Sequence, residues 1–319
     1  LTSITIPNSI TTIGDYAFSY CTNLTLIEIP SSVTSIGYGS CAGCRGLEEI
    51  LVESGNTVYD SRDNCNAIIH TSTNELIIGC KNTIIPDSVT TICSHAFYGC
   101  SGLTSITIPN SVTTIGSYAF YGCRGPVIMR SFTPPTLASS DVFYDTSNTL
   151  RIYVPYESLE IYKTAINWSS YQSIIFPWLQ KSISGYGTSI GGWCLIASPL
   201  LSSAAPTEII GMIQESDYDL YRFNQSADLE WENYKNPVHT QEFTINNGKG
   251  YLYASKEDVE LLFIGVSNDF DERMVRLDYD ANATFAGWNL VGNPFPVSAY
   301  ANKSYYTSLD RKSGSAGMP

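Results

Sequence analysis

Residues 103–123 read LTSITIPNSVTTIGSYAFYGC, and the chain opens on nearly the same words, LTSITIPNSITTIGDYAFSYC over residues 1–21. A third copy, LTLIEIPSSVTSIGYGSCAGC, follows at 24–44 and sets the period at 23 residues, within the range of leucine-rich repeats. A unit this short cannot bury its apolar face alone. It does so by stacking on neighbouring copies, so the pattern predicts a solenoid.

Four ladders hold the register: Pro7, Pro30, Pro86 and Pro109; Ile13, Ile36, Ile92 and Ile115; Phe18, Cys41, Phe97 and Phe120; Cys21, Cys44, Cys100 and Cys123. One repeat is long: Leu47 begins it and Cys80 begins the next, giving 33 residues. Its extra ten residues include NAIIHTSTNELIIG (66–79), a hairpin pattern expected to project from the solenoid. After Cys123 the pattern loosens. A strand returns at Leu150, Ile152, Val154 and Pro155, and ESLEIYKTAINW (157–168) has helical spacing through Leu159, Tyr162 and Ile166, which reads as a C-terminal cap.

The pattern L..I.IP.SVT.IG..AF..C resembles the BspA-like class of bacterial leucine-rich repeats, found in surface proteins of anaerobic Gram-negative bacteria, over about residues 1–176. The long repeat (NTVYDSRDNCNAII, IIGCKNTIIP) and the stretch TPPTL, VFY, LRIYVP are similar to that family's variants. The resemblance implies a non-enzymatic adhesion or host-interacting protein, exported to the bacterial surface or secreted. Cys41 and Cys93 depart from it, standing where Phe and Gly occupy the other copies. Leu1 opens in mid-pattern, which suggests that a segment carrying the export signal precedes it.

Apolar residues make up 43% of the 319 positions and charged ones 15%, a composition for folded domains with hydroxyl-rich surfaces. The net charge of −13 divides evenly, with 7 basic and 13 acidic residues in 1–176 and 10 and 17 in the remainder. Neither half has a basic footprint, which argues against nucleic acid and anionic membrane as partners. No run is apolar enough to span a bilayer, and a monomer is the default expectation.

Four of the nine cysteines share one inward ladder position. Parallel coils stack about 4.8 Å apart, and a disulfide wants Cβ atoms roughly 3.8 Å apart. Reduced, buried thiols are therefore expected there, and the Cys41/Cys44 CxxC, without a second pair or a nearby histidine, reads as core. Cys65 and Cys80 flank the hairpin and could pair in an oxidising compartment.

Alternation in the first strand of each coil places Thr2, Thr5, Thr25, Glu28, Glu48, Thr104 and Thr107 on the outer face. Two readings fit: a threonine ladder supporting the sheet, or a polar recognition face for host protein or glycan. In the second, the hairpin and Tyr16, Tyr20, Tyr98, Tyr118 and Tyr121 serve as anchors, since tyrosine offers wide amphipathic contact. These tyrosines also neighbour buried positions and could simply shield the core.

From about residue 177 the repeat is gone, and short β-favouring runs recur every eight to twelve residues with turns such as Asn247-Gly248 between them. We expect an antiparallel β-sandwich or jelly roll over 177–319, with a disordered tail at about 308–319. GWCLIASPL and GWNLVGNPF resemble each other and are expected to pair. Asp278, Asp280 and Asn282 form a weak calcium motif, lacking the following Gly and the twelfth-position Glu; Asn268, Asp269, Asp271 and Glu272 make a second acidic loop. No other cofactor is implied.

Catalytic signatures are missing. His70 lies in the hairpin, His95 aligns with Tyr16 and Tyr118 as a variable surface position, and His239 is in a loop. Glu230 and Glu232 could in principle flank a glycosidic bond, but their two-residue spacing on a strand only puts them on the same face. The alternative function is a rigid repeat spacer carrying a carbohydrate-binding sandwich, with Trp193, Trp231 and Trp288 stacking on sugar rings.

Overall fold

The computed structural model describes residues 2–144, 150–183, 194–198, 203–209, 212, 218–223, 231–235, 243–246, 249–255 and 259–264. The chain divides into two compact units, Leu1–Trp178 and Leu179–Pro319. With strands numbered along the chain, the first unit is a solenoid with two β faces. On the first face β1 (Ser3–Ile4), β3 (Leu26–Ile29) and β5 (Glu49–Val52) form one parallel sheet. Further along, β10 (Ile106–Ile108), β12 (Val127–Met129), β14 (Ile152–Pro155) and β15 (Ile175–Ile183) pair in that order, also in parallel. Ile4 sits opposite Ile27 and Ile27 opposite Ile50, so the 23-residue period is the register itself.

The chemistry of these strands follows from alternation. Ile27, Ile29, Ile106 and Ile108 point inward and are buried, while Glu28 and Thr107 between them are exposed. β-branched side chains suit that half-buried pleat, and the proline that follows ends the strand because it lacks an N–H to donate.

The second face holds β2 (Thr12–Ile13) paired with β4 (Ser35–Ile36), and a six-stranded sheet. The latter runs β13 (Thr136–Leu137), β11 (Thr114–Ile115), β9 (Thr91–Ile92), β8 (Glu75–Gly79), β7 (Ala67–His70), β6 (Tyr59–Asp60). Here the hairpin expectation is corrected. β7 and β8 do not project; β8 pairs in parallel with β9, Leu76 opposite Ile92, and the hairpin becomes part of the wall. Ala67, Ile68, Ile69 and Leu76 are wholly buried, and a hairpin apolar on both faces has no favourable way to stand in water. Arg62 fastens its tip, bonding Asp60 at 2.6 Å, Asn74 at 2.9 Å and the Thr71 carbonyl.

The helical cap is also revised in place. Helix α1 (Leu159–Thr164) and a 3-10 helix (Trp168–Ile174) lie between β14 and β15, and Ile152 opposite Ile175 restores the 23-residue step. The helices thus substitute for a second strand inside a coil. Tyr162 donates to the Ser131 carbonyl at 2.8 Å and Trp168 to that of Pro135 at 2.7 Å, sealing the core from that side.

Inside, Phe97, Phe120 and Phe143 stack at 5.1 and 5.4 Å between centroids, with Phe143 continuing the ladder where the sequence pattern had loosened. The eight described cysteines outside the second unit are free. Cys65 and Cys80 are unpaired: Cys65 donates to the Ala67 carbonyl, Cys80 to those of Glu48 and Asn66. Burial pushes the Cys65 thiol up to about 11 and the Cys100 thiol up to about 12.

The second unit contains an antiparallel sheet in the order β16 (Cys194–Ile196), β19 (Tyr251–Ser255), β17 (Tyr218–Phe223), β18 (Trp231–Asn233), with a further strand β20 (Val259–Ile264). Leu220, Tyr253, Leu261 and Phe263 are buried, and Arg222 bonds the buried Glu232 while lying 5.0 Å over Phe243. The segment GWNLVGNPF, the acidic loops with Asp278, Asp280 and Asn282, His239, Glu230, Trp193, Trp288 and the tail lie outside the described residues.

Candidate binding surface along the turn edge

The third part of each coil is a pair of tight turns, at residues 14–21, 37–44, 93–100 and 116–123. Backbone bonds join them rung by rung: Phe18 N–H to Ser40 at 2.7 Å, Gly43 to Tyr98 at 2.8 Å, Gly99 to Tyr121 at 2.7 Å and Gly122 to Tyr144 at 3.1 Å. The Gly43 rung skips the long repeat entirely. That repeat adds β6, β7 and β8 to the second face yet contributes no turn here, so it acts as a wedge and the coils close up at this edge.

The closure gathers aromatic side chains from both sides of the insertion. Tyr16 meets Tyr38 at 5.6 Å, Tyr38 meets His95 at 4.3 Å, and His95 meets Tyr98 at 5.1 Å and Tyr118 at 5.2 Å. Tyr98 stacks on Tyr121 at 4.5 Å, and Tyr121 meets Tyr144 at 6.0 Å. Tyr16, Tyr20, Tyr38 and Tyr144 are 44–61% exposed, which is much for so large a side chain; shielding the core does not account for them. Of the predicted anchors, Tyr16, Tyr20, Tyr98, Tyr118 and Tyr121 therefore do come together on one edge, although the hairpin is not beside them as a projecting arm. Tyr38, Tyr144 and His95 complete the row and were missed. Tyr144 stands one 23-residue step after Tyr121, a signal that was available.

The backbone beneath is strained. Tyr16, Tyr20, His95 and Tyr118 hold φ of 53, 57, 64 and 57°, the left-handed region, where Gly39, Gly43, Gly99 and Gly122 occupy equivalent places in other coils. Bulky residues there cost about 1–3 kcal/mol each, and such strain clusters at functional sites. Burial lowers the pKa of His95, whose Nε2 is 3.4 Å from the Tyr38 hydroxyl. Burial also raises the Tyr98 phenol, with the Tyr20 hydroxyl adding to it; Asp141 is the main cause for Tyr118. His95, Tyr98 and Tyr118 are thus uncharged at neutral pH.

The strand-face residues are placed as alternation predicts. Thr2, Thr5, Thr25, Glu28, Glu48, Thr104 and Thr107 are all exposed. They form two groups, one in or flanking β1, β3 and β5 and one in or flanking β10, and within the first Thr25 Oγ1 donates to the Thr2 carbonyl at 3.1 Å while Lys81 pairs with Glu48 at 2.5 Å. Both contacts support the sheet. Among the described residues no His, Cys, Asp and Glu group could hold a metal, and no helix is long and apolar enough to cross a membrane. The carboxylates with lowered pKa serve as clamps, Asp60 on Arg62 and Glu53 on the Ser31 N–H.

Residues 1–82 and 67–187 match the BspA-type leucine-rich repeat region, in six copies. The chain belongs to the BspA-type leucine-rich repeat family. Among solved structures this BspA-type chain is similar to a leucine-rich cell surface protein from Faecalibacterium prausnitzii, at 28% identity and TM-score 0.37 over 48% of this chain and 47% of that one. A leucine-rich repeat protein from Eubacterium ventriosum aligns at 22% identity and TM-score 0.33 over 49% and 56%. The pneumococcal vaccine antigen PcpA aligns at 17% and 0.21 over 52% and 57%. The chain spans about half the length of each. No curated protein matches it.

Proposed function

We propose that this BspA-type protein is a non-enzymatic recognition protein outside the bacterial cell, holding a host or other extracellular protein through the tyrosine-rich turn edge of its solenoid. The observation that carries this reading is the unbroken ribbon from Tyr16 to Tyr144 across the long repeat. Its geometry favours protein over glycan. Tyr98 and Tyr121 are parallel to within 3° and His95 and Tyr98 to within 9°, so much of their ring faces is turned to neighbours. Ring edges remain for a partner. A sugar prefers an open aromatic face, whereas tyrosine edges among serines and glycines make the kind of surface that antibodies use for proteins. The sandwich reading gains no comparable support, since Trp231 is half-buried and packs edge-on against Phe223 at 5.2 Å.

The test is binding of the full chain to a panel of extracellular-matrix proteins and to a glycan array, beside the double variant Tyr98→Ser/Tyr121→Ser. We expect saturable binding to at least one protein, weakened tenfold or more in the variant. Binding to glycans alone, or protein binding untouched by the variant, would sink the proposal.

A further inference from the structure

The first β face is interrupted. Between β5 and β10 the chain passes through residues 82–86, which align with the strand residues of other coils but make no strand. The cause is local: Thr83, replacing an inward isoleucine, bonds the Asn66 carbonyl at 2.6 Å and the Cys80 N–H at 2.8 Å, and Ile84 N–H donates to the Cys65 carbonyl at 3.0 Å. The segment is therefore drawn toward the hairpin and away from β10.

Two further observations agree that the coils part here. Elsewhere the glycine opening a coil is pressed against the coil before it: a Cβ on Gly46 would lie 2.5 Å from the Thr22 carbonyl oxygen, and one on Gly125 2.2 Å from that of Leu103. On Gly102 the nearest atom would be a Lys81 side-chain carbon at 3.3 Å. The rungs are missing too. Thr25 N–H bonds Thr2 and Glu48 bonds Thr25, but among the described residues no backbone bond joins Thr104, Ser105 or Thr107 to residues 81–87. An open depression of about 720 Å³ lies between these walls, lined by Ile84, Ile85, Asp87, Thr107, Asn110 and Arg130 among others. That falls within the roughly 300–1,000 Å³ of ligand sites.

We propose that this depression accepts an extended peptide from a partner protein, which adds as a strand to the free edge of β10. Main-chain bonds to Thr107 supply the recognition, as in other strand additions. The side chains set its chemistry: Ile84, 73% exposed, offers an aliphatic contact, and Asp87, exposed and in no ion pair among the described residues, calls for Lys or Arg. Such a peptide resembles the solenoid's own strand with a base after its proline. The site is on a different face from the tyrosine ribbon and stands or falls separately from it.

The probe is a capped, fluorescent peptide LTSITIPK, the sequence of residues 103–109 with a terminal lysine, titrated by anisotropy into the full chain. Saturable binding is expected, reduced tenfold or more when alternate peptide nitrogens of the probe are methylated or in the Thr107→Pro variant, and a few-fold in Asp87→Asn. Absence of binding, or binding indifferent to probe methylation, would overturn the proposal. Amide exchange on the unmodified protein tests it without mutation: Thr107 should exchange well ahead of Ile106 and Ile108 and become protected with the peptide. Equal protection of all three in the free chain would show the slot closed.

Discussion

Tyr20 and Gly43 occupy the same place in successive coils, and both are left-handed, at φ of 57 and 76°. Tyr20 is 61% exposed, so Tyr20→Gly removes little burial and relieves strain. Its stability, followed by urea denaturation, should stay within about 1 kcal/mol of the parent. Gly43→Ala is the opposite case: the new Cβ would lie 2.7 Å from the Tyr20 ring at a positive φ, and a loss of about 1–3 kcal/mol is expected. His95 carries a pH signature. Its folded pKa lies below the ordinary 6.5, so the unfolded chain takes up the proton first as pH falls, and its contribution to stability is complete above about 6.5 and lost below. Comparing Tm at pH 7.5 and 5.0, the parent should lose more than His95→Gln; equal losses would remove His95 from the account.

The hairpin's role is decided at the level of elements. Leu76 is fully buried opposite Ile92, so Leu76→Ala should cost about 2–5 kcal/mol, whereas a projecting hairpin would tolerate the change within about 0.5 kcal/mol. Sequence could see that residues 66–79 form a hairpin, because alternation and turn residues are local. It could not see where the hairpin goes. That depended on Thr83, Cys65 and Asn66 meeting across the long repeat, and on Arg62 bridging Asp60 and Asn74, contacts with no sequence period. Likewise α1 was legible as a helix, but not as the filling of a coil.

For the whole molecule, stacking sets the order in which buried groups open. Cys21 is half-buried, while Cys100 and Cys123 are buried within the stacked coils. With a thiol reagent under native conditions, Cys21 should label ahead of Cys100 and Cys123, which should label only on global unfolding, since access to the thiol sets the rate. Uniform labelling rates would contradict a stacked core. By itself the sequence determined the solenoid, its 23-residue register, the inward isoleucines and cysteines and the outward threonines, because each depends on residues one period apart and the period is written in the chain. Only the tertiary structure decided that the long repeat is a wedge, that tyrosines on both sides of it form one ribbon, and that the first face opens between Ile85 and Thr107. Those features arise where the period fails, and there side chains distant in sequence choose their partners by packing and hydrogen bonding in three dimensions.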